Sequence, residues 1–365
     1  MTRRRARETG IWFGDLPTGS RNMITDVPGV KVGHSTIVHG SGPVQPGKGP
    51  VRTGVTAIIP HEGSMFENPV KGAYFDFNGC GGLHGSLQIR EFGLIDTPIM
   101  LTNTMSMGTV ADSVIRHMLK GNSKVGLGDD TIIPIVSECD DSWLNDAQGL
   151  HVKEEHVVSA IEGATTDVHE GAVGAGTGMT CYDYKGGIGT SSRVIATDAG
   201  KLSLGTLVLT NCGEWNELRI DGVPVGSLLG SPDEKRPERG SIVMVVGTDA
   251  PLNARQLERI ARRAILGLAV TGSASHNGSG DIVLAFSTAN SHLRFRHNGL
   301  VTEQLMLDKD IDPLFRATID STAESITNSL FKAETIEGRD GHVSYALPID
   351  KTLEIMKAHG RLIRP

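Results

Sequence analysis

Aromatic side chains are scarce: Phe, Trp and Tyr together make up 4% of the 365 residues, which leaves little surface on which bases could stack. Positive charge is not in excess either. Lys and Arg number 35 against 42 Asp and Glu, a formal net charge of −7, so no field draws phosphates in. No nucleic-acid partner is expected. Cysteine is equally thin: Cys80, Cys139, Cys181 and Cys212 lie far apart, with no CxxC pair and no His/Cys cluster at zinc spacing. They read as reduced thiols of a cytoplasmic protein. The basic residues 1–7 are followed by ETGIWFGDL rather than by an apolar stretch of roughly 7–15 residues and a small-residue cleavage site. Neither a signal peptide nor a transmembrane helix is expected, and membrane is excluded as a partner.

Glycine is what the chain has in excess. Its 46 glycines are well above the usual roughly 7%, without a collagen period. They cluster at residues 79–85, 171–178, 186–189 and 278–280, which suggests tight turns and close approaches of backbone to a ligand. Hydrophobic residues at 38% and charged residues at 21% fit a globular protein with a sizeable core. No linker interrupts the chain, so one domain over residues 1–365 is expected.

Residues 24–32 (ITDVPGVKV), 55–60 (VTAIIP) and 131–136 (TIIPIV) are short β-branched runs bounded by Pro or Gly and predict strands. Residues 101–103 lead into 108–120, whose Val110, Val114, Ile115, Met118 and Leu119 recur at helical spacing. Another helix is marked by Val157 and Ile161. Residues 206–210 (TLVLT) form a buried strand with Asn211 at its end. The segment 231–240, SPDEKRPERG, holds two prolines and six charges and reads as a solvated loop. It changes character at once: residues 241–246, SIVMVV, predict a buried strand starting at Ser241. Residues 252–270 then carry an apolar stripe opposite arginines, residues 278–287 a turn feeding a strand, and residues 311–331 a last helix. Strands too apolar to face water on either side, alternating with helices, call for an α/β layered fold.

Three conventional site motifs fail on spacing. GAVGAGTG at 171–178 has Met179 where a dinucleotide fingerprint needs glycine, and reads as a structural turn. His151 and His156 flank two glutamates but stand five apart, about 140° around a helix, where paired zinc ligands need i, i+4. No metal site is expected. No serine sits in a GxSxG elbow. What remains is the Gly240–Ser241 junction. Gly240 lacks Cβ and can adopt the strained backbone that leaves its carbonyl open to the Ser241 hydroxyl, giving an ester by N-to-O acyl shift that water hydrolyses. The product is an N-terminal serine whose α-amine, with a pKa of about 7.7–8.0, can act as general base beside its own hydroxyl.

A set of stretches in order along the chain carries a resemblance: DVPGVKVGH (26–34), NGCGGLHG (78–85), SWLND (142–146), GAVGAGTGM (171–179), KGGIGTSSR (185–193), ERGSIVMVVGTDAPL (238–252), GSGDIVLAFSTAN (278–290) and EGRDG (337–341). Together they resemble the DmpA-type aminopeptidases, the L-aminopeptidase D-Ala-esterase/amidase family that includes the β-peptidyl aminopeptidases. The resemblance implies a four-layer αββα sandwich similar to N-terminal nucleophile hydrolases but with different connectivity. It implies self-cleavage between Gly240 and Ser241 into chains 1–240 and 241–365, Ser241 as nucleophile, Ser279 and Asp281 as its partners, Asn211 as oxyanion donor and Glu138 as the group that meets the substrate ammonium. The i, i+2 spacing of Ser279 and Asp281 lets both point to one face of a strand. The family carries a tyrosine near residue 140. Here the tyrosines are Tyr74, Tyr182, Tyr184 and Tyr345, and Asp140 or Trp143 stands instead, so Trp143 joins the expected substrate contacts. The expected activity is release of N-terminal residues from small peptides, amides or esters, without a cofactor, by a homotetramer. Two alternatives stay open: an acyltransferase of the ornithine acetyltransferase type, and an uncleaved small-molecule binding protein.

Overall fold

The computed structural model describes residues 3–362 apart from 129, 199, 235–239, 291–298 and 300. Two sheets lie face to face. The first runs in the order Lys31–His39, Val51–Ile59, Ile99–Asn103, Ile135–Cys139, Leu83–His84; the second in the order Ile188–Thr197, Gly200–Thr210, Ile242–Thr248, Gly280–Ser287, Val70–Gly79, Leu94–Ile95. Helices Met107–Leu119 and Glu154–Glu162 cover the outer face of the first sheet, and Ala254–Val270 and Asp312–Lys332 that of the second. The protein is an αββα sandwich.

The all-apolar strands are explained by these layers. Ile242, Met244 and Val246 point into the core beneath the outer helices, together with Leu257, Ile260 and Leu268. Val243 and Val245 point the other way, between the sheets, against residues such as Leu101, Leu207 and Phe286. A strand buried on both faces shows no alternation of apolar and polar residues. Ile242–Thr248 pairs in parallel with Gly280–Ser287, and the Ala254–Val270 helix makes the crossover that such a pair needs. Its N-terminus is set by Asn253, whose side chain accepts the Gln256 N–H while Gln256 bonds back to the Asn253 N–H, a reciprocal capping box.

Two strand boundaries differ from expectation. In residues 24–32 the strand begins only at Lys31, and Ile24–Asp26 is a 3₁₀ turn. The Asp26 carboxylate accepts the N–H groups of Arg21 and Met23 and the Ser192 hydroxyl, so local side-chain bonds win over a ladder. In residues 131–136 only Ile135 onward is strand, because Pro134 has no N–H to give. In residues 278–287 a turn feeds the strand as expected, with the strand starting at Gly280. Of the charged loop, residues 231–234 and Gly240 carry no regular structure, and 235–239 lie outside the described residues.

Candidate active site

Strand pairing decides what surrounds Ser241. Thr210 opposes Ile242 on one side and Asp281 opposes it on the other, so the residues just past or just before those positions, Asn211 and Ser279–Gly280, converge on Ser241. The Asn211 N–H donates to the Ser241 carbonyl at 2.9 Å. The Gly280 N–H donates to Ser241 Oγ at 3.0 Å. Gly280 is obligatory, since a Cβ there would sit 2.5 Å from the Cys80 carbonyl oxygen. Ser241 is 7% exposed and, with Gly240, lines a cleft of about 1110 Å³.

The other expected residues gather in or beside this cleft. The Ser279 hydroxyl donates to Asp281 Oδ1 at 2.7 Å, and both are buried. Burial pushes the Asp281 carboxyl above its ordinary range, against the pull of the Ser279 and Ser275 hydroxyls and of His276. Asn211 is clamped at both ends of its amide: Oδ1 accepts the Thr180 N–H at 3.0 Å and Nδ2 donates to the Asp140 carbonyl at 2.7 Å.

Glu138, at the end region of Ile135–Cys139, lines the cleft with Asn211 and Ser241. Its Oε1 accepts the Gly82 N–H at 2.7 Å and its Oε2 the Thr104 hydroxyl. Burial raises its pKa, those two donors lower it, and Asp140 raises it further, for a net upward shift. Trp143 lines the same cleft. Its ring stacks on His342 with centroids 3.6 Å apart and planes at 10°, and His342 Nδ1 donates to the Trp143 carbonyl at 2.9 Å. Met105, Met107, Val44 and Pro46 give the cleft apolar wall.

His151 and His156 serve elsewhere. His151 Nε2 bonds to Asp146 Oδ2 at 2.8 Å, and His156 Nδ1 accepts the Lys153 N–H at the start of its helix. Among the described residues no group of three His, Cys, Asp or Glu side chains could hold a metal ion, and no helix is long and apolar enough to cross a membrane. Residue-type reasoning missed the Thr104 hydroxyl, which only the fold brings to Glu138, and the donors from Gly82 and Gly280, since a backbone N–H has no letter in a sequence. The glycine clusters were its only trace.

A serine at the head of a buried central strand inside an αββα sandwich, its hydroxyl on the Gly280 N–H and its strand neighbours bringing Asn211 and the buried Ser279–Asp281 pair to the same end of the sheet, fits a hydrolase of the N-terminal-nucleophile layout. The comparisons agree. The model of peptidase family S58 matches residues 22–344, and the chain belongs to that family; it is a peptidase. It is 39% identical to the β-peptidyl aminopeptidase BapA of Sphingosinicella microcystinivorans over 98% of this chain and 93% of that one. Its structure is similar to that of the L-aminopeptidase D-Ala-esterase/amidase from Ochrobactrum anthropi, described as a prototype for the serine aminopeptidases and a new variant of the Ntn hydrolase fold, with a TM-score of 0.92 and 36% identity, covering 98% of this chain and 99% of the other. The PH0078 protein from Pyrococcus horikoshii OT3 matches with a TM-score of 0.94 and 49% identity over 98% and 100% of the two chains.

Proposed function

We propose that this protein is a self-processing serine aminopeptidase acting on small peptides, amides or esters with a free N-terminal amine. The observation that carries the reading is the position of Ser241, whose Oγ lies in the cleft on the Gly280 N–H with Asn211 beside it and Glu138 in the same wall. In maturation, Ser241 Oγ attacks the Gly240 carbonyl carbon, the C–N bond breaks, and water hydrolyses the ester to give chains 1–240 and 241–365 of one domain. In turnover the freed Ser241 amine takes the hydroxyl proton as Oγ attacks the substrate carbonyl. The oxyanion is received by Asn211 Nδ2, and the proton passes to the leaving amine. Water then releases the acyl group by the same steps in reverse.

Asp281 and Ser279 suit the cation that forms. With its hydrogen given to Asp281, the Ser279 oxygen has lone pairs left to accept from the Ser241 ammonium. Glu138 suits the substrate's own ammonium, a charge-assisted bond that an aminopeptidase needs and an endopeptidase does not. Trp143 flanks the substrate. A homotetramer is part of the proposal, supported by exposed Leu87 and Phe92 on the Ser86–Phe92 helix and exposed Phe77 on the strand that packs on that helix, and so is a cytoplasmic location, supported by four cysteines none of which is in a disulfide.

The test is the mass and N-terminal sequence of the purified protein. A fragment of about one third of the mass beginning at Ser241, absent in Ser241→Ala together with amidase activity, is expected. An intact chain that hydrolyses aminoacyl p-nitroanilides, or activity that survives Ser241→Ala, would overturn the assignment.

A further inference from the structure

Lys185 is a long cation with no exposed surface. Its Nζ is held by three backbone carbonyls: Met179 at 2.6 Å, Gly186 at 2.8 Å and Gly176 at 3.0 Å. Burial pulls its pKa down to about 7, with the Cys181 side chain opposing, while the three carbonyls match the three N–H groups of the protonated amine one for one. Burying an ammonium is costly, and a fold that only needed to fill this space could have used an apolar side chain.

The carbonyls it binds are not arbitrary. The Met179–Thr180 peptide gives its oxygen to Lys185 Nζ and its N–H to Asn211 Oδ1 at 3.0 Å. One planar, polarisable unit thus lies between a buried cation and the amide whose other end faces the cleft. Pulling on the carbonyl makes the Thr180 N–H a stronger donor, which draws on Oδ1 and makes Nδ2–H a stronger donor in turn. The same neighbourhood fixes where Asn211 stands. Thr210, its chain neighbour, exchanges bonds with Gly187: the Thr210 N–H and hydroxyl donate to the Gly187 carbonyl, and the Gly187 N–H donates to Thr210 Oγ1. Glycine is required at both cradle positions, since a Cβ on Gly186 would lie 2.4 Å from the Cys181 Cβ and one on Gly176 2.6 Å from the Ile188 nitrogen.

We infer that Lys185 is a positioning residue for oxyanion stabilisation, acting through the Met179–Thr180 peptide on Asn211, and that the GAVGAGTGM and KGGIG segments form the frame for that link. The inference rests on the oxyanion role proposed for Asn211. It assigns to Lys185 no contact with substrate.

The experiment is a double-mutant cycle in the full chain, with kcat referred to active sites counted by an acylation burst. Lys185→Gln keeps N–H donors near the carbonyls and removes the charge. Asn211→Ala alone should lower kcat by about 10²–10³-fold; if it does not, the proposed role of Asn211 falls, whatever Lys185 does. Lys185→Gln should lower kcat by roughly 10-fold or more with KM held within about twofold, and by less than about twofold when added to Asn211→Ala. An unchanged kcat, or the same loss in both backgrounds, overturns the link. Should the Gln variant fail to accumulate, Lys185→Arg, which keeps the cation in a different shape, is judged by the same cycle: a loss confined to the Asn211 background supports the link, and an equal loss in both refutes it.

Discussion

Replacing Glu138 by Gln separates recognition of the substrate amine from everything else the cleft does. The substitution keeps the shape, and the Gly82 N–H can still donate to the new Oε1 while the Thr104 hydroxyl turns to accept from Nε2. What disappears is one buried negative charge, so the fold should lose nothing and the Tm should stay or rise. A hydrogen bond to a charged group is worth about 1.5–3 kcal/mol, which sets a fall in kcat/KM of roughly 10- to 150-fold for a substrate with a free N-terminal ammonium. The loss should appear in KM. A matching substrate with an acetylated amine should gain relative to the free one. The pH profile gives a second readout: burial holds the Glu138 carboxyl above its ordinary 4.5, and only the ionised form attracts an ammonium. Wild-type kcat/KM should therefore fall as pH drops through that raised value, and the Gln variant should lack this acid limb. A change below about threefold, or a loss confined to kcat, would refute the role of Glu138 in amine binding.

Gly280→Ala should abolish processing and activity, because its Cβ would stand 2.5 Å from the Cys80 carbonyl oxygen and displace the N–H on Ser241 Oγ; a fully processed, active variant seen by electrophoresis and p-nitroanilide assay would contradict this. Away from the residues lining the cleft, Arg193→Leu should lower the Tm, since it takes from the wholly buried Glu324 a partner held at 2.8 Å and leaves it Arg7 and Asn22; complete loss of a buried pair costs about 3–5 kcal/mol, which sets the upper bound. Glu324 is pushed up by burial, but Arg193 and Arg7 outweigh it and leave the folded pKa below 4.5. That depression stabilises the fold above pH 4.5 and the benefit is lost as pH falls through the folded value, so acid unfolding of Arg193→Leu followed by circular dichroism should show a shallower slope below pH 4.5.

Which parts of this site could be read from letters follows from how each part is made. Residues 241–246 announce a strand buried on both faces because five apolar side chains in a row fit nothing else, and Asn211 ends TLVLT because a polar amide follows a fully apolar run. Ser241, Asn211, Ser279 and Asp281 are named by side-chain chemistry and a family pattern, and the strand register brings them together. The boundary at residues 24–30 turns on side-chain bonds of Asp26, one of them to the distant Ser192, which no local window contains, whereas that at 131–134 turns on Pro134, whose missing N–H the letters do show. The groups that orient the named residues are mostly backbone: the Gly82 N–H on Glu138, the Gly280 N–H on Ser241, the Thr180 N–H on Asn211, and the Gly176 and Gly186 carbonyls on Lys185. At Gly176, Gly186 and Gly280 the backbone approaches so closely that a Cβ would collide. The excess of glycine, and its clustering near residues 80, 175, 187 and 280, is therefore the mark that a site built from main-chain donors and acceptors leaves in composition, readable as punctuation from the sequence and as chemistry only once the four clusters meet.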